Sequence, residues 1–238
     1  MARRRFAVAL MVPEPWRTEV DALRRAVADP RLDRIGPHIT LVPPVNIAAE
    51  YLSDALRVVR EAAAAHGPLE LTVGPATTFL PASPVAYLAV HPVEPVEALH
   101  RAVNRPPIER PEERPFVPHV TITTDETSDR LAAIVTAFAG FVRDVRFEHV
   151  HLLEHTRDDD DVLRWHVIAD ARLGSSAVLG RGGIEVETIG GSVADPEAMA
   201  FAREADVITA RIGSRVVAVA SDEPWLADLL ASRRFGQE

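Results

Sequence analysis

Two stretches of the chain hold the residues best suited to chemistry: Pro37-His38-Ile39-Thr40-Leu41 and Pro118-His119-Val120-Thr121-Ile122. A lone His-x-Thr triplet is weak, because a chain with nine histidines meets it by chance. Five consecutive positions that agree in type are a different matter. In a strand, side chains alternate with period two, so each His shares a face with its Thr, about 7 Å away. Ile39, Leu41, Val120 and Ile122 then point to the opposite, core face. Proline is confined to strand starts and edges, so each histidine sits just inside a strand, within reach of a cleft. A histidine on a half-buried strand is ordinarily a satisfied polar residue; the matched pair is what points to catalysis. An imidazole titrates near pH ~6.5, so one ring can act as base while the other acts as acid. Each such role is worth about 10²–10⁴ in rate. Thr40 and Thr121 can donate hydrogen bonds to phosphate oxygens where charge develops. The set suits phosphodiester chemistry without a metal.

The motifs sit at equivalent places in a repeated unit. The first copy runs from an apolar strand, Phe6–Val12, through a helix with apolar spacing, Trp16–Val27, to the strand His38–Val42. The second runs from Val85–Val90 through a helix at Pro95–Val103 to His119–Thr123. Between and after them the pattern predicts a helix at Tyr51–Ala65, a strand at Leu69–Val73 and a helix at Leu131–Phe141. A hairpin of Phe147–Glu154 and Leu163–Ala169 follows, turning at Asp158 to Asp161, which reads as a solvated tip. A duplication of this kind folds as two similar lobes about a pseudo-twofold axis with a shared site between them.

Composition narrows the chemistry. The chain has 238 residues and no cysteine, which excludes disulfides, thiol nucleophiles and thiolate metal sites. Every basic residue is arginine, which excludes a Walker A lysine and a Schiff base. A net charge of −9 argues against long, nonspecific nucleic-acid binding but permits a local arginine pocket. The apolar run after Arg3–Arg5 is too short to span a bilayer; a cytoplasmic protein is expected, with no membrane partner.

At the paired motifs the sequence resembles the two-histidine phosphoesterases, which include the 2'-5' RNA ligase-like enzymes and cyclic nucleotide phosphodiesterases. The resemblance covers residues 1 to about 173. It implies an α+β, bilobal fold with two antiparallel sheets, related by a pseudo-twofold, around a central cleft. It implies His38 and His119 as the acid/base pair and Thr40 and Thr121 as phosphate binders, with no metal and no cofactor. The implied partner is an RNA end or small nucleotide bearing a cyclic phosphate, hydrolysed to a phosphomonoester or, in reverse, joined by 2'-5' ligation. Some relatives carry Leu-Ala-Arg after the second threonine, where this chain has Ile122-Thr123-Thr124.

Other features stand beside the pair. Arg105, Arg110 and Arg114 precede the second motif and read as partners of Glu109, Glu112 and Glu113, with a phosphate clamp as the alternative. Phe79 and Phe116 read as core residues, with base stacking as the alternative. His149, His151 and His155 share a strand face if that strand stays regular, at a spacing that metal ligands use. His66, His91, His100 and His166 read as exposed or half-buried polar positions. A non-catalytic nucleotide- or RNA-end-binding module is the rival function. Six glycines between Gly174 and Gly191 mark a linker at 174–183 before a small α/β appendage at 184–238. There the pattern predicts a strand at Ile184–Ile189, a helix at Pro196–Ala205, paired strands at Val207–Ile212 and Arg215–Ala220, and a helix at Pro224–Arg233. That order weakly resembles part of an N-acetyltransferase domain of the GNAT type, without its glycine-rich loop.

Overall fold

A computed structural model of the chain describes residues 3–158, 160–174, 178–180, 200–204, 207–212 and 215–220. It is an α+β structure. The strands are β1 Arg3–Met11, β2 His38–Ala48, β3 Leu69–Thr78, β4 Val85–His91, β5 His119–Thr124, β6 Arg143–Phe147, β7 His149–Arg157, β8 Leu163–Arg172 and β9 Val178–Gly180. The helices are α1 Trp16–Ala26, α2 Leu52–Ala64, α3 Val93–Val103 and α4 Ser128–Ala137. Beyond them, β10 Ala200–Glu204, β11 Val207–Ile212 and β12 Arg215–Ala220 form a separate antiparallel sheet. Among the described residues no helix is long and apolar enough to cross a membrane.

β1 to β9 make one sheet in the order β6-β3-β4-β5-β2-β1-β7-β8-β9. The two sheets expected from the sequence are thus joined. The junction is narrow: β2 and β5 pair only at Ile39 opposite Val120. Outward from it, each half begins with a His-x-Thr strand, and the next strand is the one that precedes it through a crossover helix. The helices tie the halves together, since α1 packs beneath β5 and α3 beneath β2.

Alternation on the motif strands follows the sequence pattern. Ile39, Leu41, Val120 and Ile122 are fully buried, while His38, Thr40, His119 and Thr121 are half-buried on the opposite face. Full burial of such side chains is worth about 1.5–3 kcal/mol each. The core beneath them is continuous, running through Leu10, Val20, Leu88 and Leu99.

Three expectations change. The run predicted as one strand at Phe147–Glu154 is two: β6 ends at Phe147 and pairs with β3, and β7 begins at His149 and pairs with β1. Val145 and Phe147 are buried in β6 and Val150 and Leu152 in β7, so the alternation changes phase across Glu148 and His149, where the strands part. Within the helix predicted over Pro196–Ala205, the described residues Ala200–Glu204 are β10, whose pairing with β11 overrides the local preference of an Ala- and Glu-rich segment. Part of the expected linker, Val178–Gly180, is a strand on β8. The pair at Val207–Ile212 and Arg215–Ala220 forms as predicted. The predicted elements at 184–189 and 224–233 lie outside the described residues.

Gly74 marks a bulge in β3 where the register against β4 slips. Its φ is +111°, and a Cβ there would lie 1.9 Å from the Phe141 carbonyl oxygen. Neither the dihedral nor the space accepts a side chain. Gly74→Ala is expected to lower unfolding stability by at least about 2 kcal/mol, read by denaturant titration; a loss under half that would show that the strand can shift.

Candidate active site

The antiparallel register through Ile39 and Val120 runs His38 toward Thr121 and His119 toward Thr40. The four side chains line one cavity of about 390 Å³. Its floor is β1, where Ala9 pairs with Thr40 and Ala7 lies beside it; short side chains there leave depth. The sequence-predicted residues are therefore brought together, and each motif contributes one His and one Thr.

Both imidazoles are oriented by the same device. Nδ1 of His38 donates to the Gly36 carbonyl oxygen at 2.8 Å, and Nδ1 of His119 donates to the Val117 carbonyl oxygen at 2.7 Å. A carbonyl only accepts, so Nδ1 carries the hydrogen in each ring. The acceptor lies two residues before the histidine, across a proline. Proline holds its predecessor extended, and that places the carbonyl beside the ring. The fixed Nδ1–H leaves Nε2 as the atom that can take or give a proton. Neither threonine hydroxyl has a hydrogen-bond partner among the described residues, so both are free to donate.

The surroundings of the rings differ. Burial pushes His38 down to about 4, against its bond to Gly36; positive charge on Arg24, His119 and Arg31 adds to the fall. Burial lowers His119 also, opposed by its bond to Val117. Aromatic rings wall His119: Phe79 meets it edge-on at 4.9 Å and Tyr87 at 5.4 Å, while Phe79 and Tyr87 stack at 4.0 Å. Phe79 thus packs against the site rather than in the core.

A loop after α1 completes the first cavity. Arg24 and Asp29 form a buried ion pair at 2.8 Å, Arg24 also reaches Asp21 at 2.9 Å, and Asp29 accepts from the Arg31 backbone N–H at 3.1 Å. The loop then passes Arg34 to Gly36 and enters β2. A second cavity of about 510 Å³ shares Thr40, Pro44 and His119 with the first and is bounded by the loop at 110–117. That loop is held by His100, whose Nδ1 donates to the Leu41 carbonyl oxygen at 2.5 Å and whose Nε2 meets Glu112 at 2.8 Å. Phe116 stacks on the same ring at 4.1 Å.

These contacts correct several readings. His100 is buried and holds two elements together, rather than lying at an exposed or half-buried polar position. Arg105 pairs with Glu61 at 3.3 Å and Arg110 donates to the Pro44 carbonyl oxygen at 3.3 Å, so neither pairs with Glu109, Glu112 or Glu113. The three histidines of β7 share a face, because β7 pairs with β1 without a slip and the extra residue opposite Leu152 and Leu153 lies on β8, but they do not gather at one point. His149 and His151 lie with ring centroids 6.2 Å apart, whereas His155 stacks on Trp165 at the cavity. Among the described residues no three His, Asp or Glu side chains gather closely enough to hold a metal. Asp158 accepts from the Asp160 and Val162 backbone N–H groups and pairs with Arg164, while Asp160 and Asp161 are exposed, in keeping with a solvated tip. Arg24, Asp29, Arg31 and Trp165 carry no sequence signal, because their places depend on how the loop after α1 meets the β7–β8 hairpin.

The lowered His38 gives a pH dependence of stability. The folded chain protonates His38 only near pH 4, while an unfolded imidazole does so near ~6.5. The unfolded state binds the extra proton between those values, so stability falls as pH drops through that window. His38→Gln is expected to flatten that part of the curve of unfolding free energy against pH. An unchanged slope would show that His38 titrates normally.

Comparison with known proteins places the chain. A relative from Oceanobacillus iheyensis that bears the name phosphoesterase is 28% identical over 131 residues, covering 55% of this chain and 76% of its own. One from Staphylococcus haemolyticus with the same name is 27% identical over 170 residues, covering 71% and 98%. One from Halalkalibacterium halodurans is 30% identical over 133 residues, covering 54% and 77%. Among solved structures, LigT of E. coli complexed with 3'-AMP is 17% identical with a TM-score of 0.46, over 72% of this chain and 99% of that one. TT0787 of Thermus thermophilus is 18% identical with a TM-score of 0.47, over 71% and 98%. The family model of the 2'-5' RNA ligase superfamily matches residues 12–159, a span that holds both His-x-Thr strands, and the chain belongs to that superfamily.

Proposed function

We propose that the chain is a metal-independent phosphodiesterase that hydrolyses a 2',3'-cyclic phosphate on a nucleotide or RNA end. The observation that carries this reading is the pair of imidazoles on one cavity, each with Nδ1 bound to a backbone carbonyl and Nε2 left to exchange protons. His38 is the base, because burial and the charges of Arg24 and Arg31 favour its neutral form. It takes a proton from water as the water oxygen bonds to phosphorus. The bond from phosphorus to one ribose oxygen breaks, and His119 gives that oxygen a proton. Thr40 and Thr121 donate to the non-bridging oxygens. With an RNA 5'-hydroxyl in place of water, the same two transfers form a 2'-5' linkage. The activity is assigned to residues 1–173, and residues 184–238 are read as a separate module.

Hydrolysis of 2',3'-cyclic AMP in excess EDTA tests this. Turnover is expected to persist in EDTA and to fall by about 10²–10⁴ in His38→Ala and in His119→Ala. Turnover that EDTA abolishes, or that survives both substitutions, overturns the mechanism. Binding without turnover would favour a nucleotide-binding module instead.

The pH profile offers a second check. Both histidines protonate below their ordinary value. The profile of kcat/KM is therefore expected to be a bell centred on the acid side of pH ~6.5, with its acidic limb lost when His38 is replaced. A bell centred above neutrality would reject the assignment of base and acid.

A further inference from the structure

The cavity extends well past the histidines. Along β1, Ala9 lies beside Thr40, and the register that sets Phe6 against Glu154 carries Arg5 to the neighbourhood of His155. Four residues of strand separate Ala9 from Arg5, about 13 Å. A lone phosphate does not fill that length; a nucleoside with phosphate groups on both sides of its ribose does.

The groups at the Arg5 end have a consistent chemistry. Arg5, Arg34, His155 and Trp165 all line the cavity. Among the described residues, neither the Arg5 nor the Arg34 guanidinium has a hydrogen-bond or ion-pair partner, in a chain whose net charge is −9. Most other arginines nearby are paired: Arg4 with Glu154, Arg24 with Asp29 and Arg164 with Asp158. Two unneutralised guanidinium groups beside one cavity suit an anion, which they can bind through paired N–H donors. Beside them His155 and Trp165 stack at 4.7 Å with planes 23° apart, an aromatic wall on which a base can lie. The end is also rigidly placed. The Trp165 backbone N–H donates to the Arg34 carbonyl oxygen at 2.9 Å, and Arg164 Nε donates to the Asp33 carbonyl oxygen at 3.0 Å.

We propose that Arg5 and Arg34 form a second anion subsite, which holds a further phosphate of the nucleotide whose reacting phosphate lies between His38 and His119, with the base against Trp165. The inference rests on the cyclic-phosphate reading for the occupant of the histidine end. Its chemical class is a nucleotide with a second phosphate: a 5'-phosphorylated mononucleotide, or an RNA end whose second phosphate is the linkage to the preceding residue.

Calorimetric titration of the full chain with 3'-AMP, adenosine 3',5'-bisphosphate and the 3'-phosphorylated dinucleotide ApAp tests it without requiring turnover. The extra phosphate is expected to tighten binding about tenfold or more over 3'-AMP. Arg5→Gln and Arg34→Gln are each expected to remove most of that gain. The gain is a ratio of two Kd values within one variant, so a general loss of folded protein does not imitate it. A gain with the bisphosphate alone assigns the subsite to a mononucleotide 5'-phosphate; a gain with ApAp alone assigns it to an RNA chain. Equal affinity for all three ligands, no binding of any, or a gain that survives both substitutions overturns the proposal. If the gain is present but cyclic AMP is not hydrolysed, the subsite stands and the catalytic reading falls.

Discussion

The site depends on one residue pair. Ile39 and Val120 are the only positions at which β2 and β5 pair, and both are fully buried. A fully zipped pair of strands would continue the sheet without opening a cleft. With no pairing at all, nothing would hold the two His-x-Thr strands at a common depth. A single bridge lets the strands diverge on the solvent side while their apolar faces stay together below. The crossover helices reinforce this from beneath, each packing under the strand of the opposite half. Period-two alternation then converts burial of Ile39, Leu41, Val120 and Ile122 into presentation of the histidines and threonines. The geometry of the site and the packing of the core are two consequences of the same strand registers.

The backbone supplies the next level of control. A free imidazole chooses between tautomers and orientations. Here a carbonyl two residues earlier removes that choice for both rings, and the intervening proline holds the carbonyl in place. Proline before each histidine therefore does more than begin a strand. The rings nevertheless differ in electrostatic setting, because the last turn of α1 brings Arg24 and the loop after it brings Arg31 to His38, while Phe79 and Tyr87 surround His119. A near-symmetric pair of motifs thereby acquires unlike surroundings. Net charge is a poor guide to this site, since an acidic chain still sets Arg5, Arg24, Arg31 and Arg34 along the cavity.

The parts governed by local rules were legible in the chain alone. Alternation located the motif strands and told their core faces from their open faces. The matched pentapeptides identified the unit that repeats, and apolar spacing located the helices that link its strands. The hairpin of Val207–Ile212 with Arg215–Ala220 was equally legible, because two β-branched runs flank a two-residue turn. Whatever depends on neighbours distant in the chain was settled by tertiary packing. The apolar alternation changes phase across Glu148 and His149, but that one strand joins the far edge of the sheet and the other joins β1 is a choice of partner that periodicity does not encode. Local propensity favoured a helix where β10 pairs with β11. Arg5, Arg34, His155 and Trp165 come from separate segments, and only the register of β1 on β7 and the packing of a loop on β8 bring them to one wall. Side-chain direction in a strand is a property of two or three residues; the composition of a cavity is a property of the whole sheet.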